Sequence, residues 1–263
     1  MERDETLRKL DEMLANGDIT QETYQKLKAR CGGQTKEDVS PDVKYKKHYS
    51  VSGIAHVHDD LHVGVCSISG SCKIDGSLFA DRVDSSGRTR VEGDMRSDIV
   101  NNSGWMSVDG WLRSDSIATS GRLATGGDLR SGSIESSGSL KVDGRIRCDS
   151  LVSSGKVKAD ALDAKRIEME LWGGSDVREL KGDSIEIKRG GSRVIPRLVS
   201  ESISGKRVYL ECVACGMVAG DEVTIGPDCK IGMVEFGSKL RVHKGSKVDG
   251  KKRVRIGSMP GGG

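Results

Sequence analysis

The sequence predicts a mainly β protein, a single-stranded β-helix (solenoid) of 17-residue coils that follows a small N-terminal α-helical hairpin. Three observations predict this fold. Glycine recurs at one constant interval through much of the 263-residue chain, as at Gly53, Gly70 and Gly87. Around these glycines apolar and polar residues alternate, which is the period of a strand with one buried face. Aromatic residues make up only 3% of the chain, so we expect a narrow interior filled by aliphatic side chains.

Residues 1–31 are predicted to form the helical hairpin. Apolar residues have helical spacing on both sides of Asn16 and Gly17, which end the first helix, and Thr20 can cap the second. The predicted interaction face of the hairpin consists of Leu7, Leu10, Leu14, Ile19, Tyr24 and Leu27. The segment resembles the SHOCT-type short oligomerisation motif. Because so small a hairpin is marginally stable alone, we expect it to need a partner surface. Residues 32–47 are predicted to be a polar linker.

Residues 48–253 are predicted to form the β-helix, with regular coils over 48–167 and irregular coils over 168–253. The first glycine column, each member preceded by serine, consists of Gly53, Gly70, Gly87, Gly104, Gly121, Gly138 and Gly155. A Ser-Gly pair suits a corner in which glycine takes a positive φ. We expect a loop near KRGGSRVIPR and a disordered tail over 254–263.

The repeats resemble bactofilins, which are polymer-forming cytoskeletal proteins. The paired glycines carry part of the resemblance. The rest of the resemblance comes from two segments that are similar to the C-terminal region of longer bactofilins of Firmicutes and some archaea. They are MELWGGSDVRELKGDSIEI and RVYLECVACGMVAGDEVTIGPDCKIGMVEF. The resemblance implies a right-handed β-helix that joins end to end into non-polar filaments without nucleotide or other cofactor. Shorter bactofilins often have a membrane-targeting N-terminus, whereas this chain has the predicted hairpin there.

Two surfaces are predicted to make contacts. A β-helix has two open ends, and unpaired strand edges are templates for further strands. The predicted polymer contact at the C-terminal end consists of Val234, Phe236, Leu240 and Val242. Trp105 and Trp111 replace polar residues within one coil, which indicates either a lateral partner surface or rings that cover neighbouring arginine side chains. The expected partners are further copies of the chain and, through the hairpin, cytoskeletal, envelope or membrane-associated proteins.

No catalytic residue, metal or cofactor is predicted. Cys212 and Cys215, with Cys229 downstream, make only half of a zinc signature, so core packing is favoured for them. His56 and His58, with His62 nearby, give only a weak metal signal. The first residues, MERDETLRKL, are not apolar, and the seven cysteines fit a reducing compartment, so we expect a cytoplasmic location. The net charge of +3 is too small to indicate nucleic acid.

Two other kinds of function remain open. VTIGPDCKIG resembles the hexapeptide repeat of left-handed β-helix acyltransferases, which have 18-residue coils and use a histidine between subunits. The 17-residue period does not fit that class, and His243 is the only histidine in the second half. Right-handed β-helix polysaccharide lyases need longer coils with a groove. A non-polymerising binding module, whose ladders of side chains recognise a wall polymer or a protein, is the other alternative.

Overall fold

A computed structural model of the protein describes residues 46–191 and 197–254. This part of the chain is a parallel β-solenoid of about twelve turns and contains strands but no helix. The fold class is therefore confirmed for the β-helix. The predicted hairpin with its six face residues, the linker before residue 46 and the tail after residue 254 lie outside the described residues, and so does the middle of the predicted loop near residue 192.

The first six coils each contain one long and one short strand, separated by corners. Their bounds are β1 (Lys46–Val51), β2 (Ile54–Val57), β3 (Leu61–Ile68), β4 (Ser71–Ile74), β5 (Leu78–Ser85), β6 (Arg88–Val91), β7 (Met95–Asn102), β8 (Trp105–Val108), β9 (Leu112–Thr119), β10 (Arg122–Thr125), β11 (Leu129–Ser136) and β12 (Ser139–Val142). The later coils are formed by β13 (Arg145–Ser153), β14 (Lys156–Leu171), β15 (Ser175–Arg189), β16 (Leu198–Leu210), β17 (Val213–Ile225), β18 (Lys230–Val242) and β19 (Lys247–Arg253).

The register of the regular coils follows the 17-residue period. Leu78 pairs with Met95, and Met95 pairs with Leu112, so each residue lies beside its counterpart in the next coil. These three side chains are fully buried. Because the alternation places one set of side chains inside every coil, the columns of aliphatic residues form one continuous narrow core.

The regular register ends earlier than the predicted boundary at residue 167. Ser139 still pairs with Lys156, one full repeat further along the chain, but Arg145 pairs with Ala161, one position short of a full repeat. Ala161 stands where the repeat would place the next glycine of the second column. With that glycine missing and the coil shortened, the corner straightens, and β14 continues as one long strand. The predicted strand segment SIEIK lies in β15, and RVYLE, EVTIG and KLRVH each end one residue beyond the long strand that contains them.

The later coils differ in length because their corners differ. Ser175 pairs with Leu198, so this coil is longer than the regular repeat, and the extra residues are those of the predicted loop between β15 and β16. The next coil is shorter than the regular repeat, since Leu198 already pairs with Val213. This short coil turns through Cys212, which has a φ of 56°, and the next corner uses Asp228 with a φ of 59°. The left-handed conformation of these two residues, which glycine more often adopts, turns the chain sharply at each corner.

The Ser-Gly corners require glycine for a different reason from the predicted one. None of the corner glycines has the positive φ that we expected. Instead, a Cβ atom built on Gly104 would lie 2.0 Å from the carbonyl oxygen of Gly87 in the preceding coil. That carbonyl accepts a hydrogen bond of 2.8 Å from the backbone N–H of Trp105. Successive coils therefore approach each other too closely at this corner for any side chain.

Candidate assembly surfaces

The N-terminal end of the described solenoid is formed by β1 and β2. Each of these strands pairs with a strand on one side only, β1 with β3 and β2 with β4, within the described residues. The backbone groups on the other side of each strand are therefore available to a further strand. Ile54, the first residue of β2, has 92% of its surface exposed. An apolar side chain on an open strand edge is the usual starting point for strand-to-strand association.

The C-terminal end is formed by β19 and by the second half of β18. Only the first half of β18 pairs with β19, from Lys230 to Phe236. Leu240 and Val242 pair with β17 on one side and are half-buried, and no described strand covers them on the other side. The last described coil is thus incomplete, and it leaves part of the core column open.

The four residues of the predicted polymer contact are divided between two layers. Val234 is fully buried and pairs with Lys251 of β19, and Phe236 is half-buried and pairs with Arg253. Leu240 and Val242 lie at the open end. The division arises because β19 adds half a coil beyond β18. The contact itself stays a prediction, with Leu240 and Val242 in the position that it requires.

The two ends differ in charge. Residues 239–253 contain seven basic residues and one acidic residue, Asp249. The first described coil, residues 46–60, contains two lysines and two aspartates together with three histidines. Two C-terminal ends brought together would repel each other, whereas a C-terminal end meets little net charge at the N-terminal end.

The tryptophans of the predicted lateral surface are both half-buried. The guanidinium carbon of Arg88 lies 5.2 Å from the ring centroid of Trp105, in the geometry of a cation–π contact. Trp111 lies at a corner, where its backbone N–H donates to a carboxylate oxygen of Asp94 at 3.0 Å. For Trp105 these contacts agree with the alternative that the ring covers a neighbouring arginine. The partner surface at Trp105 and Trp111 stays a prediction.

Other large apolar side chains are exposed on the sides of the later coils, where the sequence analysis did not place them. Trp172 and Val199 are each 51% exposed, and Met217 lies beside Met233 in a short stripe on the outer face. The sequence signal was an apolar residue at an outward strand position or, for Trp172, at the corner after β14. That signal can be recognised only when the irregular register of the later coils is known.

The cysteines of the half zinc signature face the interior and are buried. The thiols of Cys215 and Cys229 lie within hydrogen-bonding distance of backbone carbonyls, Cys215 of Met217 at 3.1 Å and Cys229 of Leu210 at 3.4 Å. Burial raises the pKa of Cys215 to about 11. Burial likewise raises the pKa of Cys212 and Cys229 above the ordinary value. Because the thiolate is the metal ligand and the nucleophile, these thiols have the chemistry of packed core residues.

The segment that resembles a hexapeptide repeat does not have the coil length of that class. VTIGPDCKIG spans the corner between β17 and β18, where Ala214 pairs with Lys230 and Glu222 with Lys239, both closer in sequence than an 18-residue coil would allow. The imidazole of His243 is exposed, and its Nδ1 accepts a hydrogen bond from the backbone N–H of Gly245 at 3.1 Å. The absence of enzymatic activity stays a prediction.

The histidines near the N-terminal end separate into two groups. The ring of His62 stacks on the ring of Phe79, with centroids 4.5 Å apart, and so lies away from the other two. His56 and His58 instead converge on Asp75 of the neighbouring coil. The sequence analysis missed Asp75, because only the register between coils brings it beside His58.

Comparisons with known proteins match two parts of the chain. The model of the SHOCT family, described as a short C-terminal domain, matches residues 5–30 and so confirms the resemblance of the predicted hairpin to that motif. The chain is 37% identical over 83 residues to the uncharacterized protein YhbF of Bacillus subtilis (strain 168). That alignment covers 30% of this chain and 35% of YhbF, so the chain spans about a third of this curated relative. No solved structure matches the chain significantly.

No helix among residues 46–191 and 197–254 is long and apolar enough to cross a membrane. The described residues thus form a parallel solenoid with two open strand edges, and the SHOCT match over residues 5–30 precedes them in the sequence.

Proposed function

We propose that the protein is a non-enzymatic scaffold of the bactofilin type, which assembles end to end through its terminal coils without nucleotide. The observation that carries this proposal is the pair of open ends on a continuous stack of parallel coils. Within the described residues, β1 and β2 at one end and β19 at the other have a strand partner on one side only. A second copy can continue both the backbone ladder and the core.

The distribution of apolar residues supports the same assembly. Ala55 and Val57 at the N-terminal end and Leu240 and Val242 at the C-terminal end extend the core columns to the open edges. A stacked copy would remove these side chains from water, and the hydrophobic effect favours that burial. The resemblance to bactofilins rests on the coil repeat and the C-terminal segments. It supports end-to-end assembly from the sequence, in addition to the open ends of the structure.

The net charges of the two terminal coils affect which ends can meet in an assembly. Contact between a C-terminal and an N-terminal end avoids the repulsion between two basic coils. A contact between like C-terminal ends, which the resemblance implies, would need salt or bound anions to screen that repulsion.

The SHOCT-type segment, being short, is proposed to attach the assembly to a cytoskeletal, envelope or membrane-associated protein in the cytoplasm.

Substitutions at the open ends test the proposal. We expect the purified full-length chain to form filaments in negative-stain electron microscopy, with or without added ATP or GTP. Val57→Arg and Leu240→Arg should each shorten or abolish the filaments, because they place a charge at the end of a core column, in the stacked contact. Circular dichroism should show that both variants keep their strands, since both residues are half-buried at the ends of the solenoid.

Val199→Arg is the control, because it introduces the same charge at an apolar residue on the side of the solenoid, on β16, away from both ends. It should leave filament length unchanged. Monodisperse short particles at high concentration, or filaments that lose length only with Val199→Arg, would contradict assembly through the ends.

A further inference from the structure

The N-terminal end of the solenoid carries two imidazoles and a carboxylate in one cluster. His56 pairs with Lys73 in the neighbouring coil, and the same register continued to the next outward position places His58 beside Asp75. His56 Nε2 lies 2.7 Å from one carboxylate oxygen of Asp75, and His58 Nδ1 lies 3.1 Å from the other. The two imidazole ring centroids are 4.1 Å apart. One ligand atom from each of the three side chains lies within 4.8 Å of the others.

We propose that His56, His58 and Asp75 form a binding site for a divalent transition metal ion of the Zn²⁺ class. Two imidazole nitrogens and one carboxylate oxygen are a ligand set that such ions prefer, whereas Mg²⁺ and Ca²⁺ prefer oxygen ligands alone. Zinc binds nitrogen and carboxylate oxygen at about 2.0–2.2 Å, so an ion in the middle of the cluster needs only side-chain rotations. Three protein ligands leave a fourth position for water.

The backbone supports this arrangement. His56 and His58 alternate with Val57 at the end of β2, so both imidazoles project from the same outer face. Asp75 directly follows β4, and its backbone N–H donates to the carbonyl of Val57 at 2.9 Å. The two coils are therefore joined at the residue between the histidines, which fixes the spacing of the three ligands. His56 and His58 have 43% and 75% of their side chains exposed, so an ion can reach them from solvent.

Lys73 competes with a metal ion for the carboxylate of Asp75. Its ammonium nitrogen lies 2.7 Å from Asp75 Oδ1, the oxygen that also faces His56. The same ammonium lies 3.0 Å from a carboxylate oxygen of Glu92 in the following coil. A metal ion can thus displace Lys73 from Asp75 without leaving the ammonium unpaired, because Glu92 remains as its partner. Removing this ammonium should therefore strengthen metal binding.

Titration of the full-length protein with Zn²⁺ tests the site. Isothermal titration calorimetry should give binding that weakens by more than about tenfold in His58→Ala and in Asp75→Asn, since loss of a residue that merely orients a ligand typically costs that much. Lys73→Met should bind more tightly than the unchanged chain. Asp109→Asn is the matched control, because Asp109 belongs to the same outer column two coils on and pairs with Arg90 at 2.8 Å, away from any histidine.

Histidine side-chain NMR locates the ion independently of affinity and of assembly. Of the five histidines in the chain, His56 and His58 should show ring signals that shift with Zn²⁺, while His62 and His243 should not. Mg²⁺ should shift none of them. Zinc binding that is equal in the unchanged chain and in His58→Ala, or ring signals of His56 and His58 that do not respond to Zn²⁺, would overturn the proposal.

Discussion

At the scale of single residues, glycine allows successive coils to stack closely, and cysteine packs in the interior. Gly104 lets the backbone of one coil pass within contact distance of the Gly87 carbonyl, and Cys66 fills a position in the interior that is fully buried. The glycine period is visible in the sequence, but its cause is not, because the close approach involves residues of two coils. Residue spacing alone suggested a positive φ, which the corner glycines do not have.

Gly104→Ala should destabilise the protein by about 3 kcal/mol, at the upper end of overpacking costs, because the new methyl group would meet a backbone carbonyl that cannot move aside. Gly173→Ala is the control, since a Cβ atom there has no neighbour within 4 Å. Urea unfolding followed by circular dichroism measures both. Equal midpoints for the two variants would show that the corner can relax.

Burial raises the pKa of Cys66 from its ordinary value of 9.0 to about 12, with smaller contributions from Cys72 and Asp84. The folded state therefore keeps this thiol protonated at a pH at which the unfolded chain ionises it. The resulting stability is fully present below pH 9 and is lost as the pH rises toward 12, at about 1.4 kcal/mol per pH unit.

Cys66→Ala removes this contribution. Between pH 9 and pH 11, the free energy of unfolding of the variant should fall less steeply with pH than that of the unchanged chain. Comparing the two slopes separates Cys66 from the other groups that titrate in this range. Parallel pH profiles would mean that the Cys66 thiol ionises equally easily in the folded and unfolded states.

At the scale of elements, the strands were predictable where the period holds and not where it changes. The alternation around Gly76 and its counterparts predicts two or three short strands in each of the first coils, and the structure has one short and one long strand there. The single long strand β14 was not predicted, because it depends on one missing corner residue near Ala161. The open half of β18 was likewise not predicted, since the pairing of β19 stops at Phe236.

An interior column of polar residues is a second feature that the sequence analysis missed. It runs through the corners at the ends of the long strands and consists of Ser85, Asn102, Thr119, Ser136 and Ser153. Asn102 donates to the hydroxyl of Thr119 at 3.1 Å, which links two coils. Small polar side chains before a Ser-Gly pair resemble surface residues, so their burial appears only in the structure.

Ser136→Ala should stabilise the solenoid by about 1 kcal/mol, because the Ser136 hydroxyl is buried without a hydrogen-bond partner. Ser153→Ala is the matched comparison. The Ser153 hydroxyl accepts a hydrogen bond from the backbone N–H of Gly155 at 3.3 Å, and its loss should destabilise by about 1 kcal/mol. Thermal unfolding of both variants measures the difference. A lower melting temperature for Ser136→Ala would indicate that its hydroxyl is satisfied, for example by water.

At the scale of the whole solenoid, a stack of parallel coils has one axis, and both ends of that axis are strand edges among residues 46–191 and 197–254. The sequence predicts the stack from its period and one end from its apolar C-terminal residues. The charge difference between the ends is also readable from the sequence, but its meaning depends on knowing which residues form the terminal coils. The His56, His58 and Asp75 cluster depends in the same way on the register between coils.

The axial repeat of the assembled filament, measured by electron cryo-microscopy, tests the central claim most directly. About twelve coils at about 4.8 Å each predict an axial repeat of about 58 Å if unlike ends meet, because each molecule is then one repeat. If like ends meet, the repeat is twice as long. In both cases the spacing between strands should lie along the filament axis. Filaments whose coils stack across the axis, or a preparation that stays monomeric at every concentration, would contradict assembly through the terminal coils.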